Sequence, residues 1–391
     1  GCSRSACTRK PSRFRQPGCR SRRCRHQPQY YHPSNPYIYL YGDMDMAEKL
    51  RFIDEKYLSA FDRIQVDSEI SLQKPFDEPR EVVMDYSITE SEPSEQNSYL
   101  SYNVVAGDNL NPLEYIAMQV VDYALCSAPG APLKQIMLDK GIGKDVYSYY
   151  DNGVKQPYFS IVAKNSDADK KEEFVETIND TLNRIVNEGF EKDSLRAAVN
   201  ALEFRFREAD FGSYPPGLMY GLQALDSWLY DDSKPFVHIA AGETFKELRE
   251  KIETDYFENL LKKYLIENNH KTVVMVVPKV GLVEQEDRKL AQKLAEYKAT
   301  LSKQQVEDII KSTAMLKAYQ EEEDSPEALS TIPVLELSDI KKESAPFFNE
   351  ERRVGEWVSL YHDIDTHGID YMRLIFNAND VPAELLPYIG F

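Results

Sequence analysis

KDVYSYYDNG (144–153) and, one residue on, KQPYFSIVAKN (155–165) decide the fold. Tyrosine and β-branched residues alternate with smaller ones in both runs, and Asp151–Asn152–Gly153 is a turn signal between them. Two such runs joined this closely pair antiparallel. Upstream, two more strands are expected at about 80–88 and 98–106. Between the two strand pairs a helix opens at Asn111–Pro112, where Asn caps and Pro suits the first turn. It runs through EYIAMQVVDYAL, apolar nearly all round, which predicts deep burial. APGAPLKQIMLDKGIG then gives a short helix ended by Gly141. Helices follow at about 168–188, 191–209 and 216–230, with Gly189 where a helix end wants a left-handed residue. Two more, near 243–253 and 255–268, lead to a last strand, KTVVMVVPK (271–279). The fold class is α+β: a mostly antiparallel sheet with helices packed on one face.

Outward from this centre the chain changes character. PYIYLYG (36–42) alternates like a strand and stops at Gly42. Asp43 or Asp45 caps a helix to about Phe61, with Leu50, Ile53, Tyr57 and Phe61 on one face. Residues 62–79, polar and holding Pro75 and Pro79, read as a linker. On the other side, 282–323 is charged and free of Gly and Pro. Leu290, Leu294, Tyr297 and Leu301 recur at helical spacing, then Val306, Ile309, Ile310, Ala314 and Leu316, with Ser302 as the cap between. This predicts an antiparallel helical hairpin packed on the preceding domain. Beyond it, strands are expected near 352–361 and 368–377, and the third unit reads as cut off.

The 391 residues carry a net charge of −18, with 42% hydrophobic and 29% charged residues, a folded composition. Residues 1–42 hold nine Arg or Lys and no acid, so the remainder carries 38 basic against 65 acidic residues, or −27. Such a body repels nucleic acid and anionic membranes. No run of apolar residues is long enough to span a bilayer as a helix. Cys2, Cys7, Cys19 and Cys24 crowd the start, and Cys126 stands alone in the body, which suits a reducing compartment. Within residues 1–29, two C-x4-C spacings near His26 suggest zinc, and the Arg-rich, acid-free composition suggests a transit peptide. The preferred reading is a non-native tail from a translated junction, because composition breaks abruptly at Tyr30.

No motif supplies a catalytic centre. GIGKD (141–145) lacks the gap and hydroxyl of a phosphate loop. His362, Asp363, Asp365 and His367 are a dense set of potential ligands, yet YHDIDTHGID reads more simply as strand–turn–strand. His32 and His270 read as structural, and His238 as a core residue with its hydrogen bonds satisfied. HExxH, HxxEH and G-x-S-x-G are absent, and Cys126 has no neighbouring His. Catalytic, cofactor and metal residues are therefore assigned to none.

Four segments in order carry a resemblance: YYHPSNPYIYLYGDMD (30–45), SAPGAPLKQIMLDKGIGKDV (127–146), VNEGFEKDSLRAAVNALEFRFRE (186–208) and DIDTHGIDYMRLIFNANDVPAELLPYIG (363–390). With the hairpin between the last two, they resemble the pitrilysin/insulinase family of zinc metallopeptidases, in its presequence-protease branch. The resemblance implies a clam shell of four homologous domains, of which 30–61 is the end of domain one and 79–280 an inactive domain two. Residues 281–330 are then the helical hinge and 331–391 the start of domain three. The family's zinc sits on an inverted HxxEH in domain one, outside this chain, so zinc is implied for the parent enzyme with no ligand here. The helix at 112–126 is the implied counterpart of the motif helix and carries Tyr115, Met118, Gln119 and Asp122 instead. The implied function is degradation of short unstructured peptides in a closed chamber, with this chain supplying wall and hinge. The implied partners are those peptides and the rest of the polypeptide, domains one, three and four. The implied compartment is the bacterial cytoplasm or, alternatively, the mitochondrial matrix. On the sheet, Tyr147, Tyr149, Tyr158 and Ser160 are expected to face the chamber or else to pack under the helices of 168–209. A non-catalytic structural or peptide-binding member of the family, and an unrelated α+β binding module, are the rival readings.

Overall fold

The computed structural model describes residues 30–390 apart from 345 and 347. The reading of residues 1–29 as a non-native tail lies outside the described residues. The described chain divides into two compact units. The first holds the residues up to 84, 95–205 and 209–276, and the second holds 85–94, 206–208 and 277 onward.

Five strands form one sheet: β1 (Arg80–Ile88), β2 (Ser98–Val105), β3 (Asp145–Asp151), β4 (Tyr158–Ser166) and β5 (Lys271–Val280). Their order is β1-β5-β2-β4-β3. β2 runs antiparallel to β4 and to β5, and β3 antiparallel to β4, with Tyr102 opposite both Ile161 and Val273. Period-two alternation fixes the faces. Leu100, Tyr102 and Val104 of β2 and Phe159, Ile161 and Ala163 of β4 are no more than 1% exposed. Helices cover that face: α2 (Pro112–Asp122), α3 (Pro132–Asp139), α4 (Lys171–Glu188), α5 (Lys192–Glu208), α6 (Pro216–Trp228), α7 (Gly242–Lys251) and α8 (Tyr256–Leu260), after an N-terminal α1 (Met46–Lys56). Ile116, Met118, Leu125, Phe174, Leu182 and Phe257 are fully or nearly fully buried. The α+β class, the antiparallel sheet and the helix layer agree with the sequence.

Local chemistry explains the boundaries. The Asn111 side chain accepts from the amides of Leu113 and Glu114 at 3.1 and 3.3 Å, and Pro112 takes the first helical position, so α2 starts as expected. Asp45 caps α1 by accepting from Glu48 N at 2.9 Å. Gly141 stops α3 at φ +62°, and a β-carbon on Gly143 would meet Lys164 O at 2.8 Å. GIGKD is therefore the helix-to-strand connector into β3. Gly189 ends α4 at φ +88°.

Four expectations are corrected. PYIYLYG forms no strand; its tyrosines lie along α6, where no strand edge is offered. The turn after β3 is a six-residue connection, 152–157, because Asp151 pairs with Tyr158, while Pro157 O accepts from Ala106 N at 2.8 Å. The single strand expected at 352–361 is a hairpin, β6 (Glu350–Val354) and β7 (Trp357–Tyr361), reversed at Gly355 with φ +64°. Residues 368–377 join no described sheet.

Within the second unit, α9 (Leu282–Ala299) and α10 (Lys303–Glu321) follow one another across residues 300–302. Ser302 and Gln305 form a capping box, with Ser302 Oγ accepting from Gln305 N at 3.2 Å and Gln305 Oε1 accepting from Ser302 N at 2.8 Å. Neither helix holds a buried residue, and Leu290, Leu294, Tyr297, Ile309 and Leu316 are exposed.

Candidate functional site

Helix α2 is the natural place to look, because its pentad Tyr115-Ile116-Ala117-Met118-Gln119 sits at the start of the most deeply buried helix of the sheet layer. Each polar or soft side chain of that pentad is committed to the scaffold. Tyr115 donates its hydroxyl to Asp226 Oδ2 of α6 at 2.8 Å, and burial raises its pKa strongly. Met118 is fully buried. Gln119 Nε2 donates back to Tyr115 O at 3.0 Å. One turn on, Asp122 accepts a hydrogen bond from Ser148 Oγ of β3, and burial raises its carboxyl pKa. Beside it, burial pushes the Cys126 thiol up to about 12, which makes it an inert thiol.

A second layer of polar groups closes over the first turn of α2. His238 stacks on Tyr115 with ring centroids 3.6 Å apart and planes 15° apart. Its Nε2 lies 2.7 Å from Asn109 O, and Asn109 Nδ2 donates to Asp226 O at 2.7 Å. His238 is buried, and burial drives its pKa down to about 4, so the ring is neutral at pH 7. Among the described residues its Nδ1 has no hydrogen-bond partner, which corrects the expectation of a fully satisfied core histidine. Burial also raises the Asp226 pKa, while the Tyr115 hydrogen bond opposes the shift. Glu114, at the solvent side of the same turn, accepts from Tyr264 Oη at 2.6 Å and Lys263 Nζ at 3.3 Å. Tyr115, Asn109, Asp226 and His238 lie up to 129 residues apart, and no spacing in the sequence signals that they meet.

This arrangement can hold a helix start rigidly, but it does not present a ligand set. A phenol bound to a carboxylate, a buried thioether and an amide bound to backbone do not match the imidazole and carboxylate donors that a catalytic zinc needs. Among the described residues no group of three or more His, Cys, Asp or Glu stands close enough to hold a metal ion. The zinc that the family implies therefore does not fit any described cluster of this chain. His362, Asp363, Asp365 and His367 are not drawn together as ligands. His362 Nδ1 lies 3.0 Å from Phe348 O, and Asp365 Oδ1 accepts from His367 N at 3.0 Å in a local turn with His367 at φ +52°. His32 packs edge-on against Phe61 at 5.6 Å, and His270 against Phe76 at 4.6 Å, as structural residues.

The sheet face turned away from the helices carries the tyrosines. Tyr147 and Tyr149 of β3 stack at 6.5 Å, and Tyr149 meets Tyr158 edge-on at 6.0 Å. Tyr149 is 40% exposed, Tyr147 and Tyr158 are half-buried, and Ser160 is fully buried. Ser160 Oγ donates to Asn103 Oδ1 at 2.6 Å, and Asn103 Nδ2 donates to Ser101 Oγ at 2.9 Å, a polar row across the middle strands. The helix-packed face of these strands holds Val146, Ser148, Phe159 and Ile161 instead. Tyr147, Tyr149, Tyr158 and Ser160 thus lie on the opposite face from those residues.

Two family models match the chain. Residues 25–202 match the peptidase M16 inactive domain, and residues 276–391 match the associated region of M16 peptidases of subfamily C. The chain is 40% identical to protein HypA of Clostridium perfringens over 361 residues, 92% of this chain and 37% of that protein. It is 32% identical to presequence protease 1, chloroplastic/mitochondrial, of Arabidopsis thaliana, over 92% of this chain and 34% of that one. A solved structure of a protease from Helicobacter pylori aligns with a TM-score of 0.45 at 14% identity, covering 65% of this chain and 58% of that chain. The chain belongs to the M16, pitrilysin/insulinase, peptidase family, in its presequence-protease-like branch. It spans about a third of the length of the curated relatives it matches, 37% and 34% for the two named. No helix among the described residues is long and apolar enough to cross a membrane.

Proposed function

We propose that this chain is the wall and hinge of a zinc metalloendopeptidase that degrades short unstructured peptides inside a closed chamber. The catalytic zinc belongs to a part of the protein beyond these residues. The observation that carries the reading is α2: its pentad is built into the scaffold through Tyr115–Asp226 and Gln119–Tyr115, within a chain that matches an inactive peptidase domain. In this reading the partners are unstructured peptides and the remaining domains of the same polypeptide, and neither nucleic acid nor membrane takes part. The tyrosine face of β3 and β4 contacts extended, cationic peptide, consistent with the acidic body. The compartment is the bacterial cytoplasm, with the mitochondrial matrix as the alternative. α9 and α10, whose apolar stripes are exposed, form the moving part.

The test compares this chain alone with a polypeptide extended upstream through an HxxEH-bearing domain and downstream through the remaining domains. The substrate is a fluorogenic unstructured peptide, assayed with and without chelator. Chelator-sensitive cleavage by the extended protein and none by this chain is expected. An extended protein that binds the peptide without cleaving it would favour the rival reading, a non-catalytic peptide-binding member.

A further inference from the structure

Asn152–Gly153 is the chain's one Asn–Gly pair, and it opens the connection from β3 to β4. An asparagine followed by glycine is chemically labile, because no β-carbon shields the glycine amide nitrogen from the side-chain carbonyl of the residue before it. Here the surroundings favour that encounter. Asn152 is half-buried, so water reaches it, and its side chain makes no hydrogen bond among the described residues. Gly153 lies past the last ladder pair, Asp151 with Tyr158, so its N–H is not held by a strand. That N–H donates instead to Asp151 Oδ1 at 3.3 Å, which places a carboxylate on the proton that ring closure must remove. A β-carbon at Gly153 would come within 3.1 Å of Asp226 Oδ1, a close approach that favours glycine there. The two Asn–Ser pairs, 97–98 and 165–166, differ: Ser98 and Ser166 stand opposite each other in the β2–β4 ladder.

We propose that Asn152 is a site of spontaneous covalent modification in the folded chain, with Asp151 as the proton acceptor. Gly153 N attacks Asn152 Cγ and gives up its proton to the Asp151 carboxylate. The new N–Cγ bond closes a succinimide ring. The Cγ–Nδ2 bond breaks, and the side-chain nitrogen leaves as ammonia with that proton. Water then opens the ring. Attack at Cγ gives aspartate, and attack at the main-chain carbonyl gives isoaspartate, in which the chain runs through Cβ and Cγ. Either product adds a carboxylate to the loop that packs on Asp226, the group that takes the Tyr115 hydroxyl. Ageing at Asn152 thus loads charge beside the contact that holds the first turn of α2. The inference does not rest on the peptidase reading.

The test incubates the full chain at neutral pH, folded in buffer and unfolded in guanidinium chloride, and draws samples over weeks. Trypsin cuts after Lys144 and Lys155 and releases residues 145–155, in which Asn152 is the one asparagine. Mass spectrometry with fragmentation reads the fraction that has gained about 1 Da and the share of it in the isoaspartyl form. In buffer this peptide should convert no more slowly than in denaturant, while the peptides carrying Asn97 and Asn165 stay unchanged. Asp151→Asn keeps an acceptor for Gly153 N but removes the base. It should slow conversion at Asn152 in buffer at least about tenfold. Slower conversion of the wild type in buffer than in denaturant would show that the folded loop forbids the attack. Equal rates for Asp151→Asn and wild type in buffer would show that Asp151 takes no part. Either result overturns the proposal, and the wild-type comparison decides the matter if Asp151→Asn does not fold.

Discussion

His238 is a buried imidazole held neutral, with one nitrogen on Asn109 O and the other unpaired among the described residues. Its pKa is near 4 in the fold against 6.5 when free, so between those values the unfolded chain binds a proton that the folded chain refuses. The stability it contributes is present above pH 6.5 and is lost as pH falls toward 4, by about 3 kcal/mol. Urea unfolding at pH 7 and pH 4.5 should show a smaller drop for His238→Phe, which keeps the stack on Tyr115, than for the wild type. Parallel drops would show that His238 does not titrate in this way. Tyr115→Phe leaves Asp226 Oδ2 without its donor in a half-buried site and should cost about 1 kcal/mol at pH 7. No pairing of Tyr115, Asp226 and His238 was legible in the sequence. Residues more than a hundred positions apart converge through the packing of α6 and the following loop onto α2, and local pattern carries no sign of that. The helix that carries Tyr115, Met118, Gln119 and Asp122 was legible, because it is one continuous element with a clear cap.

At the scale of elements, helix ends were legible from local chemistry, and burial patterns marked elements without saying what each packs on. Asn111–Pro112, Gly141, Gly189 and Ser302 mark helix ends because capping is a local reaction of backbone with side chain. PYIYLYG alternates because Tyr37, Tyr39 and Tyr41 share one packed side, but alternation does not say whether a sheet or a helix lies under it. Residues 368–377 alternate less clearly and leave Met372, Ile375 and Phe376 exposed. The hairpin region was legible as two helices with Ser302 as the cap between them. Substitution should separate the two kinds of element. Leu182→Ala in α4, fully buried, should cost about 2–5 kcal/mol in the main unfolding transition. Leu294→Asp in α9 should change that transition by no more than about 0.5 kcal/mol. A cost for Leu294→Asp matching that for Leu182→Ala would place α9 in the core.

At the scale of the whole chain, burial is uneven. From Val274 onward no described residue is buried, whereas β2, β4, α2 and α4 hold a continuous core. Hydrogen exchange should therefore protect the amides of β2 and β4 for far longer than those of α9, α10, β6 and β7. Uniform protection across both units would contradict this. The polar groups around α2 are committed to holding that helix. The most direct measurement is the zinc content of the pure chain after gel filtration, by elemental analysis. If α2 is a scaffold and the catalytic ligands lie elsewhere in the polypeptide, zinc will be well below one ion per chain even after incubation with zinc salt. Zinc at about one ion per chain, bound tightly enough to survive the column and accompanied by chelator-sensitive peptide cleavage, would contradict the account and would direct attention first to His362, Asp363 and His367.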